Sequence, residues 1–145
     1  MNEKNELLIF VYKNAEMGAF STKKLIERLK NKENKIKCLI EEEYKEYNNF
    51  VKKCKKILKS NNIEPQENSM FTKMQSGMGI AMETMMDNSD SALAQMLVEG
   101  FTMGVVQTTT KISAYKSIVD KSTLSIAKKY LKFQEEEIEK LKEFM

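Results

Sequence analysis

Between residues 4 and about 31, apolar and small side chains recur at alternating steps of three and four: Leu8, Val11, Ala15, Gly18, Thr22, Leu25 and Leu29. That spacing predicts a helix with one packed face, and Leu7, Tyr12, Ala19 and Ile26 widen the stripe on both flanks. The polar NKEN run at 31–34 makes a short turn. A second helix, about 35–60, repeats the pattern at Ile36, Ile40, Glu43, Tyr47, Phe50, Cys54 and Ile57, so that one ionisable residue, Glu43, sits inside an apolar seam. Asn61, Asn62 and Pro65 end it. A third helix, about 91–116, carries Leu93, Leu97, Gly100, Phe101, Gly104, Thr108, Ile112 and Tyr115 on its buried side. A fourth, about 122–145, carries Leu124, Ala127, Leu131, Gln134, Ile138, Leu141 and Met145, with Gln134 as its polar interruption. The run NSDS at 88–91 offers N-caps for the third helix, and Asp120 or Ser122 for the fourth.

The stretch from residue 61 to 90 is too long for a simple connection, since antiparallel neighbours in a bundle are joined by about 2–8 residues. It is read as a crossover that lets the third helix start at the far end of the bundle. Within it Met70, Met74, Met78 and Met82 recur every four residues, with Phe71, Ala81 and Met85 on the same side, which predicts a short methionine-striped helix near 70–86. The expected fold is therefore all-α: one domain of 145 residues, a four-helix bundle made of a hairpin at 1–60, a crossover at 61–90 and a second hairpin at 91–145. A weak internal repeat supports two hairpins. Met17 and Gly18 match Met103 and Gly104, while Tyr47, Val51, Cys54 and Leu58 match Gln134, Ile138, Leu141 and Met145 at a constant offset of 87.

Two hairpins joined by a long crossover resemble the ferritin-like family of four-helix bundles, which includes rubrerythrin-like proteins. The resemblance is one of architecture. It implies a di-metal site with one Glu from the first helix of each hairpin and an E-x-x-H motif from the second. The nearest matches here are Glu16 with E43-Y-K-E46 and Glu99 with Q134-E-E-E137. Both lack the histidine, and the second also lacks its first carboxylate. Helical rise, counted from the first turn, places Glu43 about 16 Å, Glu16 about 25 Å and Glu99 about 8 Å down the bundle, too spread for one metal pair. No transition metal is expected at such a site, and no cofactor is implied.

Composition narrows the function classes. Twenty-four basic and 21 acidic residues are mixed along the chain, net charge +3, with Arg28 the lone arginine. The lysines of the second helix lie in its last turns, where the helix dipole favours them, with no interleaved aromatics, so no nucleic-acid partner is expected. Lysine, asparagine and isoleucine usage points to an AT-rich, bacterial genome. Leu7 to Tyr12 is the longest apolar run, too short to span a membrane. The acidic N-terminus is unlike a signal peptide, and Cys38 and Cys54 lie roughly 24 Å apart along one helix, so the expected location is cytoplasmic. Histidine is absent, which removes the usual general base and the commonest metal ligand.

Helical rise brings Glu43 level with Gln134, about 17 Å from the same end, and near Thr22, Thr108 and Gln107, a candidate polar layer. One reading has Glu43 hydrogen-bonded to Gln134 or a threonine, fixing register. The other has a pocket for a hard cation or small polar ligand, lined by Glu43, Glu46, Gln134 and Glu137. The methionine stripe likewise admits core packing, Cu(I) ligation, or a groove for a partner helix or apolar ligand at Met70, Phe71, Met74, Met78, Met82 and Met85. No nucleophile–base pair or phosphate loop occurs, so the chain reads as a non-catalytic interaction or structural module. Its partner would be a second copy or another protein, through the crossover helix.

Overall fold

The computed structural model describes residues 3–69, 72, 82 and 86–145. Four helices account for most of them: α1 (Glu6–Arg28), α2 (Lys37–Ser60), α3 (Asp90–Tyr115) and α4 (Lys121–Lys142), with a 3-10 turn at Glu3–Asn5 ahead of α1. No strand occurs among the described residues. The protein is all-α, a helical bundle in which α1 packs on α2 and α3 on α4, and one continuous apolar core draws side chains from all four helices. The predicted methionine-striped helix lies outside the described residues except at Thr72, Met82 and Met86; Met82 is half-buried against the core and Met86 is exposed.

Three of the helix ends follow from local chemistry. Ser89 caps α3 by accepting from the Ala92 amide, and Asp120 caps α4 by accepting from the Thr123 amide at 2.8 Å. At the end of α2, Asn62 adopts φ 60°, the left-handed conformation that asparagine tolerates better than most residues. The Ile63 amide then reaches back to the Leu58 carbonyl at 2.9 Å and the Asn62 amide to that of Lys59 at 3.0 Å. This is the Schellman arrangement, and Ile63 completes it by packing on the core. The start of α2 has no side-chain cap of its own. Asp90, at the head of α3, braces the turn just ahead of α2: its carboxylate accepts from the Lys35 amide at 3.1 Å, the Ile36 amide at 3.4 Å and the Asn34 side-chain amide at 2.9 Å.

Those contacts fix the topology. The head of α3 stands at the end of the molecule where α1 turns into α2, whereas α2 finishes at the opposite end, where Asn61 meets Asn5 at 3.3 Å. Residues 61 and 89 therefore stand at opposite ends of the hairpin, and the described points between them keep pace with α1. Asn68 bonds the Lys13 carbonyl and Glu16, the Met82 carbonyl accepts from Arg28, and the Asn88 carbonyl accepts from Asn34.

Burial repeats between the hairpins. Leu7, Leu8, Val11, Ala15 and Thr22 of α1 are buried, and so are Leu93, Ala94, Leu97, Phe101 and Thr108, each 86 residues later. Ile36, Leu39, Ile40, Glu43, Tyr47, Phe50 and Cys54 are buried, as are Thr123, Ile126, Ala127, Tyr130, Gln134, Glu137 and Leu141, each 87 residues later. The fourth helix corrects its sequence reading. Leu124, Leu131 and Ile138 are half-buried flanks and Met145 is exposed, while Ile126, Tyr130, Phe133 and Glu137 face inward. Two aromatic side chains each bury about 150–250 Å², more than an aliphatic one, and they set the phase of the helix.

Two glycines hold the hairpins closed. A Cβ on Gly18 would stand 2.2 Å from the Tyr47 ring, and one on Gly104 would stand 2.4 Å from the Gln134 amide nitrogen. Alanine in a helix is ordinarily about 1 kcal/mol better than glycine. Gly18→Ala is nevertheless expected to destabilise by about 1–3 kcal/mol, because a rigid ring must move. Gly104→Ala should cost less, since it meets the end of a flexible side chain. Urea midpoints decide the matter, and a Gly18→Ala protein more stable than wild type would refute the close approach. Asp90→Ala should lower stability by about 1–3 kcal/mol, the usual cost of lost hydrogen bonds to a charged group, and the loss should show as faster exchange of the Lys35 and Ile36 amides.

Candidate functional site

The packing of α2 against α4 buries two carboxyls at the same end of the bundle. Glu43 is 0% exposed and Glu137 4% exposed. Both oxygens of Glu43 lack a hydrogen-bond partner among the described residues. Burial holds its carboxyl well above the usual glutamate range, Glu137 across the interface pushes it further, and Glu42 adds to this, while Lys140 opposes. Glu137 is paired with a more exposed neighbour: Lys140 Nζ lies 3.1 Å from its Oε2, and this contact raises the lysine pKa. One acid of the pair thus has a cation at the rim. The other is enclosed, in surroundings that favour its protonated form.

Below Glu43 the interior is aromatic. Tyr47 stacks on Phe101 with centroids 5.9 Å apart and meets Phe133 edge-on at 5.2 Å, while Phe50 meets Tyr130 edge-on at 5.0 Å. The Tyr130 hydroxyl donates to the Asn14 side chain on α1. Burial, the largest cause, pushes the Tyr47 and Tyr130 phenols well above the usual range, with Glu43 adding to the effect at Tyr47. Burial likewise pushes the Cys54 thiol up to about 12, leaving it without the thiolate that nucleophilic chemistry needs.

The predicted polar layer forms only in part. Thr22, Glu43, Thr108 and Gln134 are buried, but Gln107 is exposed. The expected bond from Glu43 to Gln134 or a threonine is not made. Gln134 Oε1 instead accepts from the Thr108 hydroxyl at 2.9 Å, its amide lodged where Gly104 leaves room, and the Thr22 hydroxyl turns back to its own helix carbonyls at Gly18 and Ala19. Of the residues assigned to a carboxylate pocket, Glu43, Gln134 and Glu137 are interior and Glu46 is exposed. Glu16 accepts from the backbone and side-chain amides of Asn68 at 2.9 and 3.1 Å, and Glu99 is exposed on α3. The described residues contain no group of three or more His, Cys, Asp or Glu placed to hold a metal ion. Met70, Phe71, Met74, Met78 and Met85 lie outside the described residues.

A second feature lies on the outside, and sequence reasoning passed over it. The exposed residues of α1 are Lys13, Lys23, Lys24 and Glu27, all charged. Those of α3 are Gln95, Glu99, Thr102, Met103, Val106, Gln107, Thr109, Thr110, Ser113 and Ala114, and Glu99 alone is charged. Met103 is 59% and Val106 61% exposed. Glu99, Thr102, Val106, Thr109 and Ser113 follow steps of three and four, the periodicity of a helix seam, turned away from the core. The signal was legible as a single charge between Asp90 and Lys111 in a chain that is 31% charged. No helix among the described residues is long and apolar enough to cross a membrane.

The raised pKa of Glu43 sets a pH dependence. The unfolded chain releases this proton near the ordinary value of about 4.3, whereas the folded chain retains it. The native state therefore binds more protons above that pH, and stability falls as pH rises until the folded group itself ionises. Glu43→Gln keeps the shape and removes the titration. Its stability relative to wild type should widen from pH 4 to pH 7.5 by about 1.4 kcal/mol per unit of pKa elevation. Denaturant midpoints across that range provide the measurement, and a difference independent of pH would show that Glu43 ionises as an ordinary carboxyl.

No protein-family model matches the chain, and no curated protein or solved structure matches it either.

Proposed function

We propose that this chain is a non-catalytic helical module whose work is to dock a protein partner on the outer face of α3, within an architecture like that of ferritin-like bundles but without their metal site. The observation that carries the reading is the contrast between helices. Ten exposed residues on α3 include one charge, whereas eleven exposed on α4 include nine: Lys121, Lys128, Lys129, Lys132, Glu135, Glu136, Glu139, Lys140 and Lys142. Solvated helices in a lysine- and glutamate-rich chain carry charge outward. A face depleted of it, with exposed Met and Val in helical register, has the composition of an interface centre. The methionine-striped crossover helix along α1 belongs to the same proposal, supported by the parallel advance of Asn68, Met82 and Asn88 along Glu16, Arg28 and Asn34.

A photo-crosslinking residue placed at Val106 in cells should give one discrete crosslinked product, while the same residue at Lys132, whose side chain is 77% exposed, should give none. Absence of a product at 106, with the protein folded and abundant, would sink the docking reading.

A second reading is favoured by the two unpartnered oxygens of Glu43 beside Glu137: a hard cation or small polar ligand held between α2 and α4. Calorimetric titration of Mn(II) or Ca(II) separates the two. Stoichiometric uptake lost in Glu43→Gln would replace the docking module with a ligand binder.

A further inference from the structure

We infer that the occupant of the α3 face is a second copy of this chain, paired antiparallel through its own α3 about a two-fold axis at Val106. The inference rests on the docking reading above and goes further by naming the partner and the register. A two-fold interface uses the same patch on both subunits, so the patch must complement itself. The α3 face meets that requirement. Its centre is apolar, at Met103 and Val106, and its flanks are hydroxyl and amide groups at Thr102, Gln107, Thr109 and Thr110, which donate as well as accept.

The remaining charge decides the orientation. Side by side in parallel, two α3 helices would set Glu99 against Glu99. Antiparallel about Val106, residue i faces residue 212 − i, so each Glu99 meets Ser113, whose hydroxyl can donate to it. The two glutamates then stand about 21 Å apart along the axis, more than two screening lengths at physiological ionic strength. The small side chains at Thr102, Thr109, Ser113 and Ala114 suit close approach of a second helix. The exposed faces of α1 and α4 present lysine and glutamate, which an uncharged face could meet only by burying unpaired charge.

The test uses the full chain with Cys38, the exposed native thiol, replaced by serine; Cys54 is fully buried. Sedimentation should find a dimer of the 16.8 kDa chain, and Val106→Lys should weaken dimerisation by at least about 30-fold, as loss of a central anchor does, with unchanged helical circular dichroism. Mild oxidation should crosslink Val106→Cys to itself. Glu99→Cys mixed with Ser113→Cys should give the mixed disulfide, while neither variant alone gives a disulfide-linked dimer. A wild-type chain that is monomeric at about 100 µM, a Val106→Cys protein that stays reduced, or a Glu99→Cys protein that crosslinks to itself would overturn the proposal. If purified protein is monomeric while the photo-crosslinker at 106 still captures a protein of a different mass, the second copy is wrong and the docking face stands. If position 106 captures nothing and the chain is monomeric, both fall.

Discussion

Close approach within each hairpin governs the rest of this fold. Tyr47 fits because Gly18 has no side chain, and its ring then stacks on Phe101 and meets Phe133, so a vacancy on α1 is converted into a contact between α2 and the second hairpin. Phe50 and Tyr130 continue the layer, and the Tyr130 hydroxyl returns it to α1 at Asn14. Aromatic pairs of this geometry add about 0.5–1.5 kcal/mol beyond their buried area. They also have directional preferences that aliphatic packing lacks, and so hold the hairpins in one mutual orientation.

The two hairpins share a burial pattern and differ in what fills it. At the offset of 87, Glu43 corresponds to Tyr130, Tyr47 to Gln134 and Phe50 to Glu137. Each of these two acids has an aromatic at its counterpart in the other hairpin. Gly104 serves Gln134 as Gly18 serves Tyr47, by leaving backbone room for a side chain that would otherwise collide. Two identical hairpins would have faced each other across the interface with matched carboxyls. The exchange leaves one enclosed acid, Glu43, and one acid with a lysine at the rim, Glu137, a gentler arrangement than two ionised carboxylates in one dry site.

Periodicity of three and four located all four helices to within about three residues, and the long gap after Pro65 indicated that α3 begins at the end of the molecule opposite to where α2 stops. Burial of Glu43 and Gln134 also followed from position in the seam. Their partners did not. Gln134 chose Thr108 because Gly104 lets its amide lie against α3, a fact about backbone separation that spacing does not encode. The phase of α4 was misread because Leu124, Leu131 and Ile138 form a regular stripe of their own, and the competition is settled by the larger buried area of Tyr130 and Phe133. Gln107 was placed inward on axial level alone, whereas its angular position beside Val106 points it outward.

Asp90 joins two parts of the chain that are made at different times. Its carboxylate satisfies amides at Lys35 and Ile36, and the latter lies 54 residues earlier. During synthesis at about 5–20 residues per second, the turn ahead of α2 waits roughly 3–11 s for the group that completes it. A first hairpin formed within that interval would lack these bonds beside the α1–α2 turn, and the arrival of α3 would close that corner while positioning the second hairpin. The final step in finishing the first helical pair is thus also the first step in recruiting the other.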